Sequence, residues 1–204
     1  MSVHKRNVVY FETPGFVNTS SVVDAIRERI NLGDVESVVV PVTTGRTAET
    51  FDSQLKDKIG IITISEEEVM LAFKNLTIPA QSSVEESDSA RKHLQDLPEE
   101  IPYWLRRDTI DMSLLPFSGK TYGAVREILY AFGQGMKVAV EVSLAAVELG
   151  KVKPNVKIIA VGGTGEGADT AIIVRTAMRN EAFGKDYEKR LSIQEILAMP
   201  IEKL

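Results

Sequence analysis

The sequence predicts an α/β protein built on a mostly parallel sheet, and three observations carry that expectation. The first 65 residues alternate strand, helix, strand, helix, strand, the signature of parallel strands joined by right-handed crossovers. Residues 37–42 form an almost unbroken β-branched run, as in a strand buried on both faces. A long Ala- and Val-rich helical pattern over 136–149 leads through Gly150 into another apolar run at 156–161, a helix followed by a further strand.

Taken in order, residues 7–11 are a short β-rich run ended by the turn signal Pro14-Gly15. Asn18 or Thr19 can cap a helix on which Val22, Val23, Ile26 and Ile30 recur at helical spacing, until Asn31 and Gly33 stop it. Strand 37–42 passes through the turn 43–47 into a helix over 48–56, and residues 58–64 give a third strand. Ser65 and Glu68 fit a capping box, so a helix is expected from there to about residue 75. A short strand at 76–80 and a helix at 89–97 fit weaker patterns, and four prolines interrupt the region up to 117. Regularity returns with an amphipathic helix from Thr121, broken at Gly133-Gln134-Gly135. After strand 156–161 come a glycine-rich loop over 162–167, a strand over 169–175 and a short helix over 192–199.

At 204 residues the chain is read as a single domain, with an acidic irregular excursion at about 66–117. Nine acids and three bases leave residues 66–100 at −6 and the rest of the chain near +1. That imbalance reads as a solvated excursion, a basic protein partner being the alternative. The net charge of −5 argues against nucleic acid as the main partner. Cysteine is absent and the only histidines are His4 and His93, so thiol chemistry, a zinc centre and a His-dependent triad are poorly provided for; no metal site is expected. The longest uncharged stretch is the 11 residues 13–23, well short of the roughly 20 a membrane span needs. No signal-peptide pattern follows Lys5 and Arg6, and a cytoplasmic protein is the expectation.

Two loops could carry chemistry. Thr43, Thr44, Gly45, Arg46 and Thr47 lie between a buried strand and a helix start. The first helical turn has N–H groups without intrahelical acceptors, its dipole favours an anion, and Arg46 adds a fork matched to phosphate oxygens. The Gly-Lys-Ser/Thr ending of a P-loop is missing. The plain alternative is a helix start with an exposed arginine. The second loop holds Gly162, Gly163, Thr164, Gly165, Gly167, Asp169 and Thr170. Its glycines do not follow the G-x-G-x-x-G spacing, and a strand rather than a helix comes after it, so a dinucleotide-binding turn is rejected. The glycines point either to a backbone held close to a ligand or to a tight β connection. In α/β sheets ligands bind beyond the carboxyl ends of the strands, where the segments 12–19, 43–47 and 162–169 are expected to converge.

Four segments together resemble one family: Tyr10-Phe11-Glu12-Thr13-Pro14-Gly15 with Asn18-Thr19; Thr43-Thr44-Gly45-Arg46-Thr47-Ala48; Phe132-Gly133-Gln134-Gly135-Met136-Lys137-Val138; and Gly162-Gly163-Thr164-Gly165 with Gly167-Ala168-Asp169-Thr170-Ala171. They look like the stand-alone, mostly archaeal proteins similar to the C-terminal α/β domain of pyruvate kinase. The resemblance implies a three-layer α/β/α fold on a mostly parallel five-stranded core sheet whose last core strand is antiparallel. It implies that residues 43–47 receive a phosphate and that flavin mononucleotide (FMN) is a ligand, with Glu12, Asn18, Gln134, Lys137 and the 162–170 loop contributing. Kinase activity is not expected to be inherited, because the catalytic barrel has no counterpart in this sequence. A regulatory module sensing a sugar phosphate and a flavin-dependent oxidoreductase are the competing functions. For the oxidoreductase, Glu12, Asp169 and Lys137 are the candidate acid–base groups. A symmetric homo-oligomer is a general expectation for soluble proteins.

Overall fold

The computed structural model describes residues 3–74 and 127–203. The elements expected at 76–80 and 89–97, the start of the helix at 121 and most of the acidic excursion lie outside the described residues. Of the excursion, residues 66–74 are described, and they are helical.

The elements run β1 (Val9–Phe11), a single 3-10 turn (Phe16–Asn18), α1 (Thr19–Ile30), β2 (Ser37–Val42), α2 (Arg46–Leu55), β3 (Gly60–Ser65), α3 (Glu66–Lys74), a helical turn at 127–131, α4 (Gln134–Glu148), β4 (Lys157–Gly162), β5 (Thr170–Arg175) and β6 (Ser192–Pro200). The capping box forms as expected: Glu68 N–H donates to Ser65 Oγ at 3.1 Å, and Ser65 N–H donates to the Glu68 carboxylate at 3.0 Å. Gly133 alone breaks the helix before α4, at φ +105°, while Gly135 lies inside its first turn.

Six strands form one sheet among the described residues, in the order β1-β6-β5-β4-β2-β3. Every strand but β5 runs the same way. Only residues 163–169 join β4 to β5, and a connection that short permits a hairpin but not a crossover, so β5 must be antiparallel. The antiparallel strand expected over 169–175 is therefore present. It is not the last one, however, because residues 192–199 form strand β6 and not the expected helix. Ile193, Ile196 and Leu197 sit at helical spacing, but the slot between β1 and β5 decides the conformation. Residues 197–200 are all buried, which a strand covered on both faces satisfies and an amphipathic surface helix does not.

Alternate strand residues feed two cores, as a period of two requires. Val38, Val40, Ile159, Val161, Ala171 and Ile173 pack under α1 and α2 with Val22, Val23, Ile26, Phe51 and Leu55. Val39, Ile158, Ala160, Ile172 and Val174 pack under α3 and α4 with Ala72, Met136, Ala139, Val140 and Leu144. No helix among the described residues is long and apolar enough to cross a membrane.

Candidate functional site

The chain moves outward from β2 to β3 and then returns across β2 to place β4 on its other side. The helices of these two crossovers consequently lie on opposite faces, α2 on one and α3 and α4 on the other. The carboxyl ends of β2 and β4 are therefore the topological switch point of the sheet, the crevice position where open α/β sheets bind ligands. The ladder itself parts there. β2 pairs with β3 over six residues but with β4 only at Val38 and Val39. Pro41, two residues further on, has no N–H to offer a neighbour.

Residues 43–45 leave β2 on one side of this crevice, and α2 follows. Its N-cap is Gly45, and no side chain caps its first turn. Thr43, Thr44 and Arg46 are exposed and Thr47 is half-buried. The Arg46 guanidinium has no ion pair or hydrogen bond among the described residues, so a cation stands free at an uncapped helix N-terminus.

Residues 163–169 leave β4 on the other side and are tied to the segment after β1. The Asp169 carboxylate is fully buried. Its Oδ2 accepts from the backbone N–H groups of Gly15 at 3.0 Å and Thr164 at 2.9 Å, and its Oδ1 accepts from Thr170 Oγ1 at 2.8 Å. Ala168 N–H donates to Thr19 Oγ1 at 3.0 Å, and that hydroxyl donates to Phe16 O at 2.7 Å. Asn18 turns inward to its own loop, donating to Thr13 O at 2.9 Å, and Glu12 is exposed. Of the three segments expected to converge, 12–19 and 162–169 are thus joined, with Asp169 as their pin, and no hydrogen bond among the described residues ties 43–47 to either.

The glycines have protein partners of their own. A Cβ on Gly162 would stand 1.9 Å from Gly135 O, because the end of β4 lies directly against the first turn of α4. Gly167, at φ +85°, passes so close to Phe16 that a Cβ would stand 2.5 Å from its Cα. Gly163 is buried and Gly165 half-buried within the same loop. Close packing of backbone on backbone is therefore one sufficient reason for this glycine content.

On α4, Gln134 and Lys137 are both buried. Lys137 Nζ pairs with Glu141 Oε2 at 2.7 Å. Burial pushes the Glu141 carboxyl above its ordinary range, and the Lys137 ammonium opposes that shift. The i,i+4 spacing of this pair was available in the sequence. Lys203 carries no such signal, yet it comes to the same edge: its Cδ lies 3.5 Å from the position a Gly133 Cβ would take, and its ammonium donates to Pro200 O. Burial lowers its pKa, against the pull of the Asp169 carboxylate.

Asp169→Asn is expected to free the two loops rather than remove a ligand contact. An amide offers one acceptor oxygen where the carboxylate offers two, and hydrogen bonds to a charged group contribute about 1.5–3 kcal/mol. Amide exchange at Gly15 and Thr164 should quicken at least tenfold in the variant. Unchanged exchange at both would show that the carboxylate does not hold these loops.

No family model matches the chain.

Proposed function

We propose that this protein binds a phosphate-bearing small molecule at the carboxyl edge of its sheet, and that the ligand is flavin mononucleotide. The observation that carries the reading is the fork between β2 and β4, with Arg46 unpaired at the uncapped start of α2 beside it. The phosphate would lie at residues 43–47. The resemblance to the pyruvate kinase C-terminal domain, with its three layers and its phosphate loop, belongs to the same proposal.

Magnitudes favour a ligand larger than phosphate. A helix terminus contributes about 0.3–1 kcal/mol and a charged hydrogen bond about 1.5–3, whereas micromolar binding needs about 8. Burial of a ring system supplies the remainder at about 25 cal/mol per Å². Phe16, Val17, Phe132 and Ile201, all exposed and all following elements that end or turn at this edge, offer apolar surface for it.

Binding is favoured over turnover. Of the three acid–base candidates, Asp169 and Lys137 are buried in contacts within the protein, and Glu12 is exposed. The regulatory reading shares the same phosphate loop and differs only in the ligand's second half.

The absorption spectrum of the purified protein, with mass spectrometry of what heat or acid releases, tests the proposal. Yellow protein releasing FMN supports it. If the protein is colourless and excess FMN does not raise the melting temperature, the flavin reading is excluded and sugar phosphates become the next ligands to screen. Arg46→Ala should weaken FMN binding at least tenfold and leave the melting temperature of the ligand-free protein unchanged; equal affinity would remove the phosphate from this loop.

A further inference from the structure

The first turn of α4 presents a set of hydrogen-bonding groups that find no partner among the described residues. Gln134 is only 9% exposed, and its side-chain amide makes no hydrogen bond among the described residues. Neither Oε1 nor Nε2 is sealed from solvent, so the remnant of exposure includes the amide itself. The backbone N–H groups of Gln134 and Gly135 open the helix, and neither has an acceptor among the described residues; the first N–H of this turn to find one is that of Met136, which donates to Gly133 O at 3.1 Å. Water reaches this amide, so a ligand that takes its place must offer the same hydrogen bonds.

The electrostatics decide which chemistry fits. The Asp169 carboxylate already lies beneath this helix start, its Oδ1 2.4 Å from where a Gly135 Cβ would stand. Lys137 is neutralised by Glu141. The Lys203 ammonium beside Gly133 is set against Asp169, so among the described residues no cation at this helix start is left over for an anionic group. The matching group is neutral. It offers a carbonyl to the free N–H donors, and an adjacent N–H and C=O to the amide, which is both acceptor and donor.

We infer that the start of α4 recognises the lactam or imide edge of a planar heterocycle, with Gln134 as the residue that reads it. The inference rests on the phosphate-bearing ligand proposed above and adds which end of that ligand meets α4: the phosphate at α2, the ring edge across the fork. The pyrimidine edge of a flavin has this pattern, and so do the uracil and guanine bases.

Titrations of the wild type, Gln134→Ala and Arg46→Ala with FMN and with N3-methyl-FMN test it, since the methyl group removes the ring N–H and keeps the phosphate. The wild type should prefer FMN at least tenfold. Gln134→Ala should lose that preference and bind FMN about tenfold more weakly, and Arg46→Ala should weaken both ligands alike. Should the alanine variant fail to fold, Gln134→Met keeps the volume without the amide. Unchanged affinities and an unchanged preference in the Gln134 variant would overturn the inference while FMN binding stands. If the wild type binds no FMN, the flavin reading fails, and uridine and guanosine monophosphates decide the lactam inference. Binding of either that Gln134→Ala weakens tenfold upholds it, and binding of neither overturns it.

Discussion

Gly162→Ala should lower stability by about 3 kcal/mol, at the upper end of what an inserted methyl group does in a packed core. The new Cβ would stand 1.9 Å from Gly135 O, 2.8 Å from Gly135 C and 2.9 Å from Ala139 N. All three are backbone atoms of α4, so no side-chain rotation relieves the overlap. The helix must lift off the end of β4, and with it Met136, Ala139 and Val140 lose contact with the sheet. At about 2–4 °C per kcal/mol for a protein of this size, the melting temperature should fall by about 6–12 °C. Gly60→Ala is the control: nothing lies within 4 Å of its added Cβ and its φ is unremarkable, so its change should stay within about 0.5 kcal/mol. Equal melting temperatures for the two variants would refute the contact between β4 and α4.

Arg29→Met should cost a comparable amount by another route. Arg29 is buried at the end of α1, with its guanidinium shared between Asp34 at 2.6 Å and Glu195 at 2.7 Å. Lys157 also reaches Asp34 at 2.7 Å. Breaking a buried ion pair costs about 3–5 kcal/mol because a charge is left without its partner. Both carboxylates keep some contact with water, so the lower end, about 3 kcal/mol, is expected. Hydrogen bonds from Arg29 hold the Asp34 and Glu195 carboxyls below the ordinary carboxylate range, with Lys157 adding to the effect at Asp34. A lowered folded-state pKa means that this stabilisation is complete above the unfolded carboxylate range and is lost as pH falls through and below it. Urea unfolding at pH 7 and pH 3 should therefore show a large difference between wild type and variant at pH 7 and a smaller one at pH 3. A gap of the same size at both values would show that the carboxylates do not carry the effect.

Much of this architecture was legible in the sequence because it is written in local patterns. The β-branched run of β2, the capping box at Ser65 and the short link that forces β5 to reverse all act within a few residues. β6 was not legible, since Glu195, Ile196, Leu197 and Ala198 suit a helix and only the vacant slot between β1 and β5 makes them a strand. The Arg29 cluster was equally hidden, joining residues 29, 34, 157 and 195 that meet only after folding. At the candidate site the association of segment 12–19 with 162–169 followed from topology. The inward commitment of Asp169 did not, because a carboxylate in a glycine-rich loop reads equally well as a ligand acceptor. Pro41 was an available signal of a different kind: a proline in a strand of the sheet interior marks where the ladder must open.

The pairing of β1 with β6 joins Val9 to Ala198 and Phe11 to Pro200. Among the described residues β1 has no other strand beside it in the sheet, and it is three residues long. A ribosome therefore delivers this strand before the other five described strands of the sheet, and its partner β6 almost 190 residues later. Until then Val9 and Phe11 have no sheet to join, and closing so long a loop is slow compared with forming the hairpin of β4 and β5. The last step of folding should be the capture of β1, the earliest made of these six strands, next to the segment that Asp169 holds through Gly15.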